Sequence, residues 1–529
     1  MSKKKIVVCD HIHQKGIELL EKEKDIELVN AADIPKGEPL YETVSDADVV
    51  ITRSSTDVDE PFLNAAKKLK AIVRAGVGVD NVDIEGCSRR GIIVMNVPTA
   101  NTIAAVELTI AHMLGCMRAF PYAHNQLKLE RIWKRENWIG NELKGKKLGI
   151  IGFGNIGSRV GVRALAFGMD VIAYDPYISP SKATDLGVKY TTNFDDILAC
   201  DVITIHTPKT KETINMIDRE EIAKMKDGVV LINCARGGLY NEDALYDGLK
   251  SGKIKFAGID VFAKEPATDN KLLELDNVTV TPHLGANTVE SQERIATQAA
   301  TQAIEAARGV SYPNALNLPI KEDEIPPFVK PYLELTQKIG FLAAQVNKGA
   351  IKSIKVFAEG EIGDFLKSLT TFAVVGALKE SLGEAINYVN AEFVAKERDI
   401  SISYEKKSNI SGYKNKIAVK LTTDKDVIEI GGTIFEENVQ RIVEINNFAL
   451  DVEPKGKMIF FRNTDVPGVI GDVGMILAKN NINIADFRLG RDEHGQALAV
   501  IIVDDDVDKK TISELAALKA CISVHYAVI

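Results

Sequence analysis

Three residues of types suited to proton transfer and anion binding each follow an apolar run of strand length: Arg236 in NCARGG, Glu265 in DVFAKEP and His283 in TPHLG. A histidine can take a hydroxyl proton, and a carboxylate on its far ring nitrogen can fix the tautomer and stabilise the imidazolium that forms. A guanidinium can clamp a substrate carboxylate with two parallel hydrogen bonds. Taken alone, His283 suits a satisfied structural role equally well. The three together make a base, an orienter and an anchor. Two further strands end in Arg53 (ITRSST) and Arg74 (IVRAGVG). Singly these read as surface arginines, but strand ends of one open sheet share an edge, so both could face a single crevice.

What such a site would need beside it is a hydride acceptor, and the stretch Lys147 to Asp175 provides for one. KLGII is a strand-length apolar run, Gly152, Gly154 and Gly157 form a G-x-G-x-x-G turn, and an amphipathic segment follows. The first glycine allows the turn, the second admits a pyrophosphate, and the third lets helix and strand pack closely. The phosphates would sit on the helix N-terminus. About twenty residues past the glycines, Asp175 ends the next strand, where an acid accepts from ribose hydroxyls and repels a 2′-phosphate. The cofactor expected is therefore NAD, not NADP.

These residues need an α/β scaffold. Residues 5–98 alternate short apolar runs with helical patterns, and the alternation resumes from 147 through VTVTPHLG. Asn101 to Met117 reads as a helix crossing into the second unit and Ser291 to Arg308 as one returning, which makes the first lobe discontinuous, with a hinge over a cleft. Asn314 to Pro327, with three prolines and the charged patch KEDE, reads as a linker. Beyond it, the run from Val374 to Glu397 reads as helical and RIVEINNFALDVE as strand-like, with no catalytic constellation. From Lys457 the order β-α-β-β-α-β suggests a ferredoxin-like unit.

The chain of 529 residues allows several domains, and no apolar run approaches membrane-spanning length. MSKKKIVVCD enters a strand directly and does not read as a signal peptide, so the cytoplasm is the expected address. The six cysteines form no C-x-x-C pair, which argues against zinc and against a disulfide framework. A net charge of -9 without a long basic block makes nucleic acid an unexpected partner.

GFGNIG, HTP, NCARGG, DVFAKEP and TPHLGANT, in that order, resemble the D-isomer-specific 2-hydroxyacid dehydrogenases over roughly residues 5 to 310. The resemblance implies Arg236, Glu265 and His283 as catalytic residues. It implies NAD contacts at Asn155, Ile156, Asp175, Thr207, Cys234, Asp260 and Gly285, besides Arg236, His283 and the three glycines. Val77 would serve the nicotinamide side, where many relatives carry a threonine.

IGGTIFEENVQRIVEINNFALDVEP resembles the intervening domain of that family's long-form branch, which oxidises 3-phosphoglycerate, and FFRNTDVPGVIGDVGMILAKNNINIADF resembles an ACT domain. The implied architecture is a Rossmann-like domain (99–284) inserted in a flavodoxin-like substrate domain (1–98 and 285–313). An intervening α+β domain (314–453) and an ACT domain (454–529) follow. Arg53 and Arg74 then become candidates for the substrate phosphate, with Arg135 reaching a neighbouring subunit's site in a dimer or tetramer. L-serine would bind between two terminal domains at Asn463, Asp465 and Asn483. The competing readings are a dehydrogenase for another D-2-hydroxy acid, such as glycerate or 2-hydroxyglutarate, and an NAD-sensing binding protein without turnover.

Overall fold

The computed structural model describes residues 3–319, 325–408, 412–436 and 438–529. The KEDE part of the expected linker lies outside them. Four sheets account for the strands of these residues, and each follows from its side-chain pattern.

The first sheet is five-stranded and wholly parallel, in the spatial order Ile26–Asn30, Lys4–Val8, Val49–Thr52, Ala71–Arg74, Ile93–Asn96. Its central strands Val49–Thr52 and Ala71–Arg74 bury successive residues on both faces, as parallel strands covered by helices must. Thr52 lies opposite Arg74 and Arg74 opposite Asn96, so these strands finish level and Arg53 and Arg74 emerge at one edge.

The second sheet has seven parallel strands, ordered Val278–Val280, Ile254–Ile259, Val229–Asn233, Val202–Ile205, Lys147–Ile151, Asp170–Tyr174, Lys189–Thr191. The direction of winding reverses between Lys147–Ile151 and Val202–Ile205, the switch point at which such sheets bind ligands. Register aligns the strand ends: Tyr174, Ile151, Ile205, Asn233, Ile259 and Val280 stand in one row. The residues that follow, Asp175, Gly152, His206, Cys234, Asp260 and Thr281, therefore share one edge.

Helix Thr102–Arg118 leads from the first sheet to the second, and helix Val289–Arg308 returns. The returning helix buries Ile295, Ala299, Ala300 and Ala303 in the core under the first sheet. Thr288 caps its start by accepting from Ser291 N–H, and Gly309, left-handed at φ 68°, ends it.

The third sheet has six strands, antiparallel except for the pair Ile351–Glu359 and Ser401–Lys407. Helices Lys330–Val346 and Leu366–Leu382 share its core. Two expectations are corrected here. The helical run over 374–397 is broken at Gly383 (φ 57°, ψ -130°), a conformation closed to most side chains, and after a 3-10 turn over Gly383–Ala385 the α-helix resumes only at Ala391. RIVEINNFALDVE is two strands, Val439–Ile445 and Phe448–Val452, joined at Asn446 and Asn447, both at positive φ. Asparagine tolerates that region, so Asn-Asn makes a tight hairpin turn.

The last sheet, ordered Ile484–Arg491, Gln496–Val503, Lys457–Thr464, Cys521–Val528, is antiparallel and has the ferredoxin-like order. Its period of two separates the faces. Ile459, Phe461 and Ile501 pack with Val473, Leu477 and Leu515 of its own helices, while Met458, Phe460, Val500 and Ile502 join the core of the preceding unit. No single helix among the described residues is long and apolar enough to cross a membrane.

Candidate active site

Beyond the strand Val278–Val280 the chain turns through Thr281-Pro282 to His283, which sits in the left-handed region at φ 55°. Its N–H donates to the Asp260 carbonyl at 2.9 Å. The Asp260 carboxylate, wholly buried, accepts from Thr281 Oγ1 (2.6 Å), Leu284 N–H (2.7 Å) and Gly285 N–H (3.0 Å). Burial lifts the Asp260 pKa, and these donors oppose the rise. Asp260 is thus spent on holding the loop that carries His283.

His283 Nδ1 lies 2.8 Å from Glu265 Oε2, and Glu265 Oε1 accepts the Phe262 N–H at 3.0 Å. A carboxylate only accepts, so the proton on Nδ1 is fixed and Nε2 is left to act as base. The hydrogen bond to Glu265 raises the His283 pKa above its ordinary value, against partial burial. Burial works to raise the Glu265 pKa, but the hydrogen bonds from His283 and Phe262 outweigh it and hold the carboxyl low. The His283 side chain is 51% exposed, into an open cleft between the two lobes.

That cleft, about 670 Å³, is lined from one lobe by Arg53, Ser54 and Arg74 and from the other by Phe262, Glu265 and His283, among others. Burial and then the neighbouring guanidiniums of Arg53 and Arg236 press the Arg74 pKa down to about 10. Its Nε is buried without a partner. Among the described residues no carboxylate comes within ion-pair range of Arg53 or Arg74, and Arg53 donates instead to the His11 carbonyl at 2.9 Å. Arg236 pairs with Asp80 at 3.3 Å, across the lobes.

Two glycines clear the way for these cations. A Cβ on Gly76 would lie 1.8 Å from Arg74 Nη1, and one on Gly78 would lie 2.6 Å from Arg236 Nη2. Sequence reasoning missed both, together with Asp80 and Ser54. The available signal was the G-V-G that begins two residues after the strand-end Arg74.

The switch point fits a dinucleotide. Gly152 (φ 86°) lets the chain turn under the His206 carbonyl, which a Cβ would meet at 2.7 Å. Nothing lies within 4 Å of a Cβ on Gly154, leaving space above the turn, whereas one on Gly157 would strike the Gly152 carbonyl at 2.1 Å. Helix Asn155–Ala166, with Ile156 in its first turn, has no side-chain cap, so its first N–H groups stay free for an anion. The Asp175 carboxylate accepts from Phe153 N–H (2.8 Å) and Tyr177 N–H (3.0 Å), which sets its direction while leaving lone pairs open. Thr207 Oγ1 and His206 Nδ1 are buried on this edge without partners.

Burial pushes the Cys234 thiol up and His206 down to about 3, so neither carries charge there. The Gly285 N–H is held by the Asp260 carboxylate, and the Val77 carbonyl by Asn96 Nδ2. Among the described residues no three His, Cys, Asp or Glu are grouped to hold a metal.

Two predicted groups lie apart. Arg135 is exposed in the turn Arg135–Trp138, away from the cleft. Asn463 and Asp465 line a hollow of about 330 Å³ on the last domain, but Asn483 does not: its Nδ2 donates to Asp504 at 2.6 Å elsewhere on the surface.

Residues 110–285 match the model for the D-isomer specific 2-hydroxyacid dehydrogenase NAD binding domain, residues 328–446 that for the D-3-phosphoglycerate dehydrogenase intervening domain, and residues 457–520 that for the ACT domain. The chain is 40% identical over 525 residues to D-3-phosphoglycerate dehydrogenase of Bacillus subtilis, covering 98% of each chain. It is 39% identical over 529 residues to the enzyme of the same name in Archaeoglobus fulgidus, covering 99% of each. Among solved structures, D-lactate dehydrogenase from Aquifex aeolicus, complexed with NAD and lactic acid, aligns at TM-score 0.52 and 31% identity, over 58% of this chain and 96% of that one.

Proposed function

The chain belongs to the D-isomer-specific 2-hydroxyacid dehydrogenases, among the D-3-phosphoglycerate dehydrogenases, and from that premise we propose that its cleft oxidises 3-phospho-D-glycerate to 3-phosphooxypyruvate, opening L-serine biosynthesis. It is an NAD-dependent oxidoreductase. The observation that carries the substrate is the pair of guanidiniums lining one cleft without a carboxylate partner, Arg53 and Arg74, with Arg236 close enough to depress the Arg74 pKa and itself paired with Asp80. A phosphorylated hydroxy acid brings roughly two and a half to three negative charges at neutral pH. Glycerate would leave two half-buried cations unanswered, which is costly.

In this reading Arg236 anchors the carboxylate, Arg53 and Arg74 take the phosphate, and His283 Nε2 removes the hydroxyl proton. Glu265 keeps the imidazole oriented and basic. The free N–H groups at Asn155 and Ile156, the glycine turn, Asp175, Thr207, Cys234, Asp260, Gly285 and Val77 form the cofactor's bed. NAD, when bound, supplies the hydride acceptor.

The domain division proposed is 1–98 with 285–313 for substrate, 99–284 for NAD, 314–453 intervening and 454–529 ACT. Arg135 serves the phosphate site of a second copy, a role supported by the exposed apolar residues around it, among them Leu129, Trp133 (76% exposed) and Ile139. A dimer or tetramer follows. L-serine as effector would meet Asn463 and Asp465 of one copy and Asn483 of another, and a substrate drawn from glycolysis accords with a cytoplasmic enzyme.

The test is NADH absorbance with a scavenger for the ketoacid, comparing 3-phosphoglycerate with glycerate. Flux with the phosphorylated acid alone is expected. Equal flux with both would refute the phosphate role of the arginines, and saturable NADH binding without flux would point to a binding protein.

A further inference from the structure

Helix Thr102–Arg118 buries His112 to 5% exposure, far from solvent and outside the substrate cleft. Thr279 and Thr281 stand two residues apart at the end of the last parallel strand, so their side chains share a face. The imidazole spans both hydroxyls, with Nδ1 3.0 Å from Thr279 Oγ1 and Nε2 2.8 Å from Thr281 Oγ1. Gly258 makes the room: a Cβ there would lie 2.8 Å from His112 Cβ and 3.1 Å from Nδ1.

The proton positions follow from what each group can donate. Three donors and no acceptor face the Asp260 oxygens, the surroundings of an ionised carboxylate. Thr281 therefore gives its single proton to Asp260 and can only accept from His112, which places the imidazole proton on Nε2. Burial pushes His112 down to about 4, so the ring is neutral and Nδ1 is bare. Thr279 must give its proton to Nδ1, and its oxygen remains to accept the Cys116 thiol at 3.4 Å. Burial pushes that thiol up to about 12, which keeps its proton in place. Five side chains thus form a chain with one direction, Cys116 to Thr279 to His112 to Thr281 to Asp260.

We propose that His112 is a positioning residue for the oxidation: its Nε2–H holds the Thr281 hydroxyl so that Asp260 grips Leu284 and Gly285, fixing the loop that presents His283 in its left-handed conformation. The inference rests on reading His283 as the base. A non-glycine residue at φ 55° persists only where its surroundings over-determine it, and this chain supplies that constraint from a helix that begins at the hinge.

The experiment measures kcat, the primary isotope effect with substrate deuterated at the hydroxyl-bearing carbon, KM for NAD and thermal midpoint. The full-length variants are His112→Leu, His112→Gln, Thr281→Val, the double variant His112→Leu with Thr281→Val, and His283→Ala. His112→Leu should lower kcat about tenfold or more, as a small misplacement of the base would, with a smaller rise in KM for NAD because Asp260 and Gly285 also border the cofactor. The isotope effect should rise, because hydride transfer becomes slower relative to product release. His112→Gln, whose amide can still donate to Thr281, should recover most of the loss. The double variant should be no slower than Thr281→Val, since both act through one chain. Should His112→Leu fail to fold, His112→Gln and Thr281→Val carry the test.

Wild-type kcat and isotope effect in folded His112→Leu and Thr281→Val, with His283→Ala inactive, would overturn this inference alone. Near-normal turnover in His283→Ala would overturn the reading beneath it as well.

Discussion

The cleft between the first two lobes and the hollow on the last domain both carry polar groups at their edges, but they keep their charges differently. In the cleft, Arg53 and Arg74 have backbone carbonyls for company and Arg74 Nε has nothing. In the hollow, Asp465 pairs with Arg491 at 3.2 Å, Asn463 Nδ2 donates to the Thr464 carbonyl at 2.7 Å, and the remaining lining is largely apolar. The first surface holds a standing demand for an anion. The second is already balanced, so a ligand there must either displace an internal pair or bring its partner groups from another chain.

The largest expected departure comes from disturbing the unbalanced side. Arg74→Gln should raise KM for 3-phosphoglycerate by about ten- to a hundredfold, the worth of a charge-assisted hydrogen bond, and leave kcat/KM for glycerate nearly unchanged. Steady-state kinetics on both acids decide it, and equal losses on the two would remove the arginine from the phosphate site.

A smaller change concerns the base. Oxidation needs neutral His283, so kcat/KM should climb with pH and level off above a pKa that Glu265 holds higher than that of an ordinary histidine. Glu265→Gln removes the raising hydrogen bond, which moves that limb to lower pH and lowers the plateau. Reduction needs the imidazolium and should fall over the same range as pH rises, earlier in the variant. A limb that stays in place in paired pH profiles would break the link between the two residues.

The smallest effect on turnover belongs to the balanced side. Asp465→Ala should leave activity without effector unchanged and weaken the response to L-serine by about fivefold or more. An unaltered dose response would make the hollow a packing feature.

The strand ends were legible because apolar runs and glycines are local signals: Arg53, Arg74, Arg236, Glu265 and His283 all stand where register aligns the edges. Asp80 was not, because its pairing with Arg236 joins residues far apart in sequence and in different lobes. Gly76 and Gly78 looked like an ordinary turn until the guanidiniums that need their bare backbone were in place. Gly383 and Asn446-Asn447 carried local turn signals that longer helical and strand patterns masked. The second apolar face of the last sheet was hidden for another reason, since alternation tells which residues share a face but not what covers it.

The returning helix Val289–Arg308 has a consequence for synthesis. It packs on helix Gln14–Glu21, where Gly16 sits against the Ala296 carbonyl, and its Glu293 pairs with Lys15 at 2.6 Å. At ribosomal speeds the 267 residues between these helices take on the order of 13 to 53 s to emerge. Through that interval the first sheet waits with an apolar flank uncovered, while the inserted domain can complete its own core. The part of the enzyme made first is thus finished second, and a nascent chain stalled before residue 289 should offer its exposed amino-terminal sheet to chaperones.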